Sequence, residues 1–140
     1  MSMDRAREIL NRLIEFAVRT IALANALPDT PAGRHVAGQI VKSGTSPAPN
    51  YGEACGAESS ADFVHKLGIV VKELNETAVW LQIIKKSSML KPHQIADIIK
   101  ENEELCKIIG ASIITASGKR ATRTAASTPN IESPSSPPQS

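Results

Sequence analysis

Aromatic residues are scarce in this sequence. Its 140 residues include two phenylalanines, one tyrosine and one tryptophan. Because strands are enriched in aromatic side chains, a β-sandwich is not expected. Alanine, isoleucine, leucine and valine are plentiful instead, which predicts an aliphatic core built from helices. A chain of this length can bury about two thirds of its unfolded surface, so we expect a single domain.

Cysteines and long apolar runs are also few. Cys55 and Cys106 cannot by themselves form a metal cluster or a disulfide framework. The N-terminus lacks the apolar stretch of a secretory signal, and no run approaches the roughly 18 apolar residues of a membrane span. We therefore expect a soluble, cytoplasmic protein with reduced thiols, no membrane contact and no cofactor.

Net charge is small and unevenly distributed. Of the 16 basic residues three lie in 119–140, and of the 14 acidic residues one lies there, so residues 1–118 carry thirteen of each sign. The body is therefore neutral and lacks the overall basicity expected of a strong phosphate binder. The excess positive charge belongs to the C-terminal segment.

Hydrophobic spacing predicts four amphipathic helices. The first spans about Arg5 to Leu27 and carries two apolar lines, one at Leu10, Ile14, Ala17, Ile21 and Ala24 and the other at Ile9, Leu13, Phe16 and Leu23. The second is expected to start at Thr30 and Pro31, because threonine can cap the free amide groups and proline suits the first helical position. Pro47 and Pro49 predict a kink or a break in it.

Ser59 and Asp62 predict the start of the third helix, in which Leu67, Leu74 and Leu81 recur every seven residues. Pro92 opens a fourth helix that we expect to end near Gly118. The predicted fold is an all-α, antiparallel up-down-up-down four-helix bundle over residues 1–118, with a kinked second helix. Residues 119–140 are expected to form a basic stub and a disordered tail rich in serine, threonine and proline.

The first predicted helix has an apolar surface wider than one neighbouring helix can cover. Burying both of its apolar lines requires a second surface in addition to the intramolecular core. The simplest candidate for that surface is another copy of the same chain.

The segment Ser43–Leu81 carries three groups of residues that identify a resemblance. They are a serine, asparagine and acid around the proline elbow (Ser46, Asn50, Glu53), an aspartate and phenylalanine at a helix start (Asp62, Phe63), and the run Glu73, Glu76, Trp80, Leu81. In these the chain resembles the family of four-helix-bundle proteins encoded in 23S ribosomal RNA intervening sequences, which also includes the accessory variability proteins of diversity-generating retroelements. The likeness extends loosely over the first and fourth helices.

This resemblance implies a homo-oligomer, commonly a five-membered ring, without catalytic activity. For the retroelement members it further implies a basic surface that contacts RNA or DNA and docks a reverse transcriptase.

Basic residues offer one candidate nucleic-acid site. Up-down topology brings the start of the first helix and the end of the fourth to the same pole, where a positive patch is expected from Arg5, Arg7, Lys119, Arg120 and Arg123. The same residues are also compatible with an ordinary solubility feature at a helix end. Arginines along the first helix form a second stripe, but glutamates four residues earlier predict surface pairs such as Glu8 with Arg12.

Acidic residues offer a weaker candidate, a carboxylate metal site. Glu53, Glu73 and Glu76 lack the Glu-x-x-His spacing of dimetal bundles. We instead expect a structural role in which Glu73 or Glu76 accepts hydrogen bonds from the proline elbow, where the prolines leave polar groups in need of partners. The elbow residues of interest are Ser46 and Asn50, together with Glu53.

The function predicted from these observations is a non-catalytic, homo-oligomeric interaction or adaptor module. The expected partner is nucleic acid or a nucleic-acid-handling protein such as a reverse transcriptase. One alternative is a structural, protein-binding ring without any nucleic-acid role. The other alternative, from a different class, is a bundle enzyme that uses buried carboxylates and a metal.

Overall fold

Helices account for nearly all of the chain that the computed structural model describes, which is residues 2–125, with side chains for residues 2–118. They are α1 (Met3–Asn25), α2 (Pro31–Thr45), α3 (Pro47–Cys55), α4 (Ser60–Lys86) and α5 (Pro92–Ala125). Because α2 and α3 follow one another directly, they act as one kinked rod of a four-rod bundle. The predicted all-α bundle is confirmed.

Helix starts follow the capping signals of the sequence. The Thr30 hydroxyl accepts a hydrogen bond from the Gly33 amide at 3.0 Å, and the Ser59 hydroxyl accepts one from the Asp62 amide at 3.1 Å. Each bond satisfies one of the amide groups that a helix start leaves without a partner inside the helix. Pro92 is the first residue of α5, as predicted.

The second rod is kinked at Ser46. This residue keeps right-handed helical dihedral angles, φ −75° and ψ −34°, although it separates α2 from α3. Pro47 and Pro49 lack amide hydrogens, so two bonds of the helical ladder cannot form. The amide of Asn50 still reaches the Ser46 carbonyl at 3.2 Å, which carries the chain across the bend. The prolines therefore bend this rod without disconnecting it.

The two apolar lines on α1 differ in burial, although Ala24 of the second line also belongs to the core and Leu10 packs against it. Ile9, Leu13 and Phe16 are between 0 and 1% exposed, whereas Ile14 and Ile21 are 45% and 44% exposed. The wide apolar surface predicted for this helix is thus real, and within the described chain Ile14, Val18 and Ile21 are left exposed on it.

Seen along the bundle axis, the four rods lie at the corners of a square. Helix α1 packs against α2, α3 and α5, and α4 packs against the same three helices. In the part of the chain that the structure describes, α1 and α4 make no contact with each other. They therefore occupy diagonal corners, and the core between the four rods is filled by aliphatic side chains such as Leu67, Leu74 and Leu81.

Helix α5 is longer than predicted. It continues from Gly118 to Ala125, because a single glycine costs only about 1 kcal/mol and the residues that follow it include good helix formers. Residues 121–125, expected to belong to a disordered tail, are therefore helical, and residues 126–140 lie outside the described residues. Within them, no helix combines the length and apolar character needed to cross a membrane.

Candidate interaction surfaces

The pole where α1 begins carries two of the predicted basic residues. Arg5 lies 3.4 Å from a Glu8 carboxylate oxygen, and Arg7 lies 3.8 Å from an Asp4 carboxylate oxygen. All four side chains are about half exposed or more, so these pairs contribute little to stability. They nevertheless reduce the positive potential that Arg5 and Arg7 present to a phosphate.

The remaining basic residues of the predicted patch lie on the last turns of α5. The backbone of Lys119, Arg120 and Arg123 is helical, and their side chains lie outside the described set. Convergence with Arg5 and Arg7 therefore stays a prediction. The sequence has no acidic residue between Glu104 and Glu132, which leaves this stretch of α5 without local neutralising charge.

An ion pair joins α1 to α5 at the edge of the core. The Arg12 guanidinium donates to both carboxylate oxygens of Glu101, at 3.1 Å from Nε and 2.8 Å from the terminal nitrogen. These hydrogen bonds raise the pKa of Arg12, while burial acts in the opposite direction. The sequence pattern pairs Arg12 with Glu8 on its own helix, and the structure corrects this assignment. Because the two partners are 89 positions apart, no spacing rule identifies them.

The proline elbow satisfies much of its own hydrogen-bonding need. The side-chain amide nitrogen of Asn50, Nδ2, donates to the Ser46 carbonyl and to the Ser46 hydroxyl, each at 3.0 Å. The Ser46 carbonyl also accepts a hydrogen bond from the backbone amide of Asn50, whereas the carbonyls that lose a helical partner to the two prolines are those of Ser43 and Thr45. Ser46 and Asn50 are thus structural residues of the elbow.

Across the bundle, Ser43 of α2, about one turn before the elbow, meets Thr77 of α4. The Thr77 hydroxyl lies 2.9 Å from the Ser43 hydroxyl and 2.8 Å from the Glu73 carbonyl, and both hydroxyl-bearing residues are fully buried. Since one hydroxyl has one proton, Thr77 donates to the Glu73 carbonyl or to the Ser43 hydroxyl at any one time, and the Ser43 hydroxyl also lies 3.4 Å from the Ile40 carbonyl. Sequence reasoning predicted that Glu73 or Glu76 accepts hydrogen bonds from the elbow, whereas the contact that the structure shows between α4 and this rod joins Thr77 to Ser43.

The three glutamates have other partners. Glu53 accepts a hydrogen bond from Lys66 at 2.9 Å, and this bond raises the pKa of Lys66. Glu76 accepts one from the Trp80 indole at 3.3 Å, and Glu73 contributes its backbone carbonyl to Thr77. Among the described residues, no three His, Cys, Asp or Glu side chains are grouped so that they could hold a metal ion.

A close approach between α1 and α2 lies in the same region of the core. A Cβ added to Gly44 would lie 2.5 Å from the Thr20 methyl group, which is closer than such atoms come in proteins. Thr20 is fully buried and its hydroxyl donates to the Phe16 carbonyl at 2.8 Å, so it cannot easily move away. Gly44 is therefore required by packing.

Burial affects the titration of Tyr51 and Cys106. Burial and the neighbouring Cys55 thiol raise the pKa of the Tyr51 phenol, whereas Arg5 acts in the opposite direction. Burial and Glu103 raise the pKa of Cys106, which disfavours its reactive thiolate form. Neither thiol is in a disulfide.

Within residues 2–118, whose side chains the structure describes, two apolar surfaces are exposed. The α1 outer face consists of Leu10, Ile14, Val18 and Ile21, of which Val18 is 56% exposed. The α4 outer face consists of Ala78, Val79 and Ile83, with Val79 58% and Ile83 39% exposed, and it lines a shallow apolar groove. Contiguous exposed apolar residues of this kind mark interaction surfaces.

Comparisons with known proteins agree on the fold family. The model of the 23S rRNA-intervening sequence protein family matches residues 5–111. A crystal structure of a protein of unknown function from the S23 ribosomal protein family of Bacteroides thetaiotaomicron is similar, with a TM-score of 0.71 and 34% sequence identity. The alignment covers 75% of this chain and 97% of that one. No curated protein matches the chain.

Proposed function

Because the chain belongs to the 23S rRNA-intervening sequence protein family, we propose that it is a homo-oligomeric interaction module that contacts nucleic acid and acts without catalysis. We further propose that the assembly is a five-membered ring and that nucleic acid binds at the pole where α5 ends. A more specific form of this role is that of an accessory protein of a diversity-generating retroelement, with a reverse transcriptase as its protein partner.

The observation that carries the oligomer is the exposed apolar α1 outer face. Ile14, Val18 and Ile21 are each between 44 and 56% exposed and lie along one side of α1. A helix of a monomeric protein usually presents charged and polar residues on its solvent side. Covering this face with another copy removes apolar area from water, at about 25 cal/mol per Å².

The observation that supports nucleic acid as the ligand is the uncompensated charge at the end of α5. Lys119, Arg120 and Arg123 lie on a helix that runs past Gly118, in a stretch without acidic residues. A ring of such chains would place several of these segments on one side, and clustered cations bind the phosphate backbone by releasing its counterions.

Charge reversal at this pole tests the nucleic-acid role. The triple change Lys119→Glu, Arg120→Glu and Arg123→Glu is expected to weaken binding of RNA and single-stranded DNA at least tenfold, measured by fluorescence anisotropy. The slope of log K against log salt should fall by about 0.7 for each phosphate that the variant no longer neutralises. The matched control replaces Lys85, Lys86 and Lys91 at the opposite pole with glutamate. It should change nucleic-acid binding little.

A second function, a protein-binding ring without a nucleic-acid role, is favoured by a different observation. Arg5, Arg7 and Arg12 already have acidic partners within the chain, so fewer cations are free for phosphate. Absence of binding even at low salt, or binding that is insensitive to salt, would favour this function. Co-purification of a reverse transcriptase with the wild-type ring would then identify the protein partner.

A further inference from the structure

The end of α4 lines an apolar groove, which we call the α4 groove. Its lining residues are Ala78, Val79, Gln82, Ile83, Lys86 and Ser87. The groove contains the α4 outer face and follows the helix for roughly 10 Å, at 1.5 Å per residue. An amphipathic helix of another molecule can lie in a groove of this kind, with apolar side chains at every third or fourth position.

Three exposed lysines surround the end of the α4 groove. Lys85 and Lys86 lie in the last turn of α4, and Lys91 lies in the connection that follows. Among the described residues, none of the three takes part in an ion pair. The sequence has no acidic residue between Glu76 and Asp97. This positive charge is therefore available to an acidic group of another molecule.

Helix termination does not require these lysines. Lysine side chains near the end of a helix can donate hydrogen bonds to its last carbonyl groups. Here backbone amides already do so, since Ser88 and Met89 donate to the carbonyls of Lys85 and Ile84 at 3.2 and 3.1 Å. The ammonium groups are not needed for capping.

The backbone of Ser88, in the same connection, is strained. Its φ is +59°, in the left-handed region that glycine enters freely and other residues enter at a cost. The exposed Ser88 side chain makes no hydrogen bond to the described part of the chain, so the fold does not compensate this cost. Strained residues of this kind concentrate at functional sites, and this one directly follows a residue of the α4 groove.

The chain's own C-terminal segment cannot occupy the α4 groove. The groove lies beside the start of α5, whereas Ala125 lies at the other end of that helix, about 50 Å away at 1.5 Å per residue. The only large apolar residue that follows is Ile131, and six extended residues span at most about 22 Å. The occupant is therefore a different molecule.

The chemistry of the α4 groove favours a protein segment over nucleic acid. None of the residues that line the groove is aromatic. Trp80 of the same helix instead contacts His35 of α2, with ring centroids 6.0 Å apart. A nucleotide base would thus find no ring to stack on in the groove, whereas an apolar helical face would find aliphatic side chains.

We propose that the α4 groove binds a short amphipathic segment of a partner protein. The apolar side chains of that segment lie on the α4 outer face, and its acidic residues pair with Lys85, Lys86 and Lys91. The Ser88 hydroxyl supplies a further hydrogen-bond donor for those carboxylates. This inference goes beyond the proposed function, because it depends neither on the homo-oligomer nor on nucleic acid at the opposite pole.

Two fluorescently labelled peptides test the site by anisotropy with the full chain. Both carry leucines at helical spacing, and glutamates follow the leucines in one peptide and precede them in the other, so that both directions of binding are covered. We expect saturable binding of at least one. A peptide with lysine in place of every glutamate should bind at least about tenfold more weakly.

Variants of the chain then separate the two parts of the site. Val79→Asp should weaken peptide binding at least about tenfold, and so should Lys85→Glu combined with Lys86→Glu. The matched control combines Lys42→Glu with Lys107→Glu, which makes the same change of charge at exposed positions outside the groove. It should leave the affinity within about twofold of the wild type.

Ser88→Gly distinguishes a binding role from a structural role. Glycine relieves the positive φ, so thermal unfolding should move to a higher temperature. Loss of the hydroxyl should at the same time weaken peptide binding by about two- to tenfold. A variant that is more stable and binds with unchanged affinity would refute the binding role of Ser88.

Three results would overturn the inference. The first is the absence of saturable binding of both peptides below about 1 mM, or equal binding of the lysine peptide. The second is a lower assembly mass of Val79→Asp by light scattering, which would identify the face as a subunit contact. The third is loss of RNA binding in the Lys85→Glu and Lys86→Glu variant, which would identify a nucleic-acid site. Circular dichroism with the helical signal of the wild type verifies that each variant is folded.

Discussion

The inner and outer faces of α1 are built from the same kinds of residue and have opposite fates. Leu13 is fully buried, and the next residue, Ile14, is 45% exposed. Both lie on apolar lines with helical spacing, so neither periodicity nor hydrophobicity distinguishes them. The difference shows that an apolar line marks a surface to be buried, whereas the neighbours in the fold decide what buries it.

Truncation of these two neighbours should give the largest difference. Leu13→Ala removes fully packed core atoms and leaves a cavity, so we expect a loss of about 2–5 kcal/mol in the free energy of unfolding. Ile14→Ala should change it by less than about 0.5 kcal/mol in the monomer and act on assembly instead. Urea unfolding at submicromolar concentration, where assembly is minimal, measures both. Equal losses would show that the outer face is buried within a single chain.

Two glycines of α2 sharpen the contrast between packed and open surfaces. Gly44→Ala places a Cβ against buried Thr20 and should cost about 1–3 kcal/mol. Gly38→Ala meets nothing within 4 Å and should stabilise the helix by up to about 1 kcal/mol. Thermal unfolding measures both, and Thr20→Ser should partly rescue the Gly44→Ala variant by removing the methyl group. A neutral Gly44→Ala variant would contradict the packing explanation.

The ion pair of Arg12 and Glu101 lies between the inner and outer faces of α1, and its strength tests what partial burial adds to a charged contact. A double-mutant cycle with alanine at both positions should give a coupling energy of about 1 kcal/mol, because two hydrogen bonds hold a partly buried pair. The exposed pair of Arg34 and Asp29, at 2.7 Å, is the reference and should give less than about 0.5 kcal/mol. Equal coupling in the two cycles would mean that burial adds nothing to the α1–α5 contact.

The smallest effect is expected from the pH dependence of the inner contacts. Because burial raises the pKa of Tyr51, folding favours the neutral phenol. Its contribution to stability is complete below pH 10.0, its ordinary pKa, and is lost as the pH rises above that value. Tyr51→Phe should therefore reduce the alkaline loss of stability by at most about 1.4 kcal/mol per pH unit. Urea unfolding between pH 8 and 11 measures it, and identical slopes would refute this account.

Much of the fold follows from local signals. Thr30 and Ser59 are identified as caps by residue type and position, and the structure places their hydroxyls on the expected amides. Pro47 and Pro49 predict the bend because a missing amide hydrogen has the same effect in any context. Such signals depend on a few neighbouring residues, which is why they can be read without the fold.

The candidate site was less predictable. The sequence identifies Ser46 and Asn50 as elbow residues, but not the contact that Thr77 of another rod makes with Ser43 beside the elbow. It identifies Arg12 as a charged surface residue, but not Glu101 as the group that binds it. These partners are distant in sequence, and each depends on the rotation and height of two rods, which only packing fixes.

The amino-acid sequence by itself determined the number of rods, their starts, the bend in the second rod and the presence of two apolar lines on α1. These features depend on residue type and spacing, which act over one or two turns of helix. Tertiary structure decided how deeply each line is buried, which hydroxyls and charges meet, and which apolar surfaces remain for another molecule. Those outcomes depend on how the rods are arranged in space, and close packing permits one arrangement among many that share the same pattern.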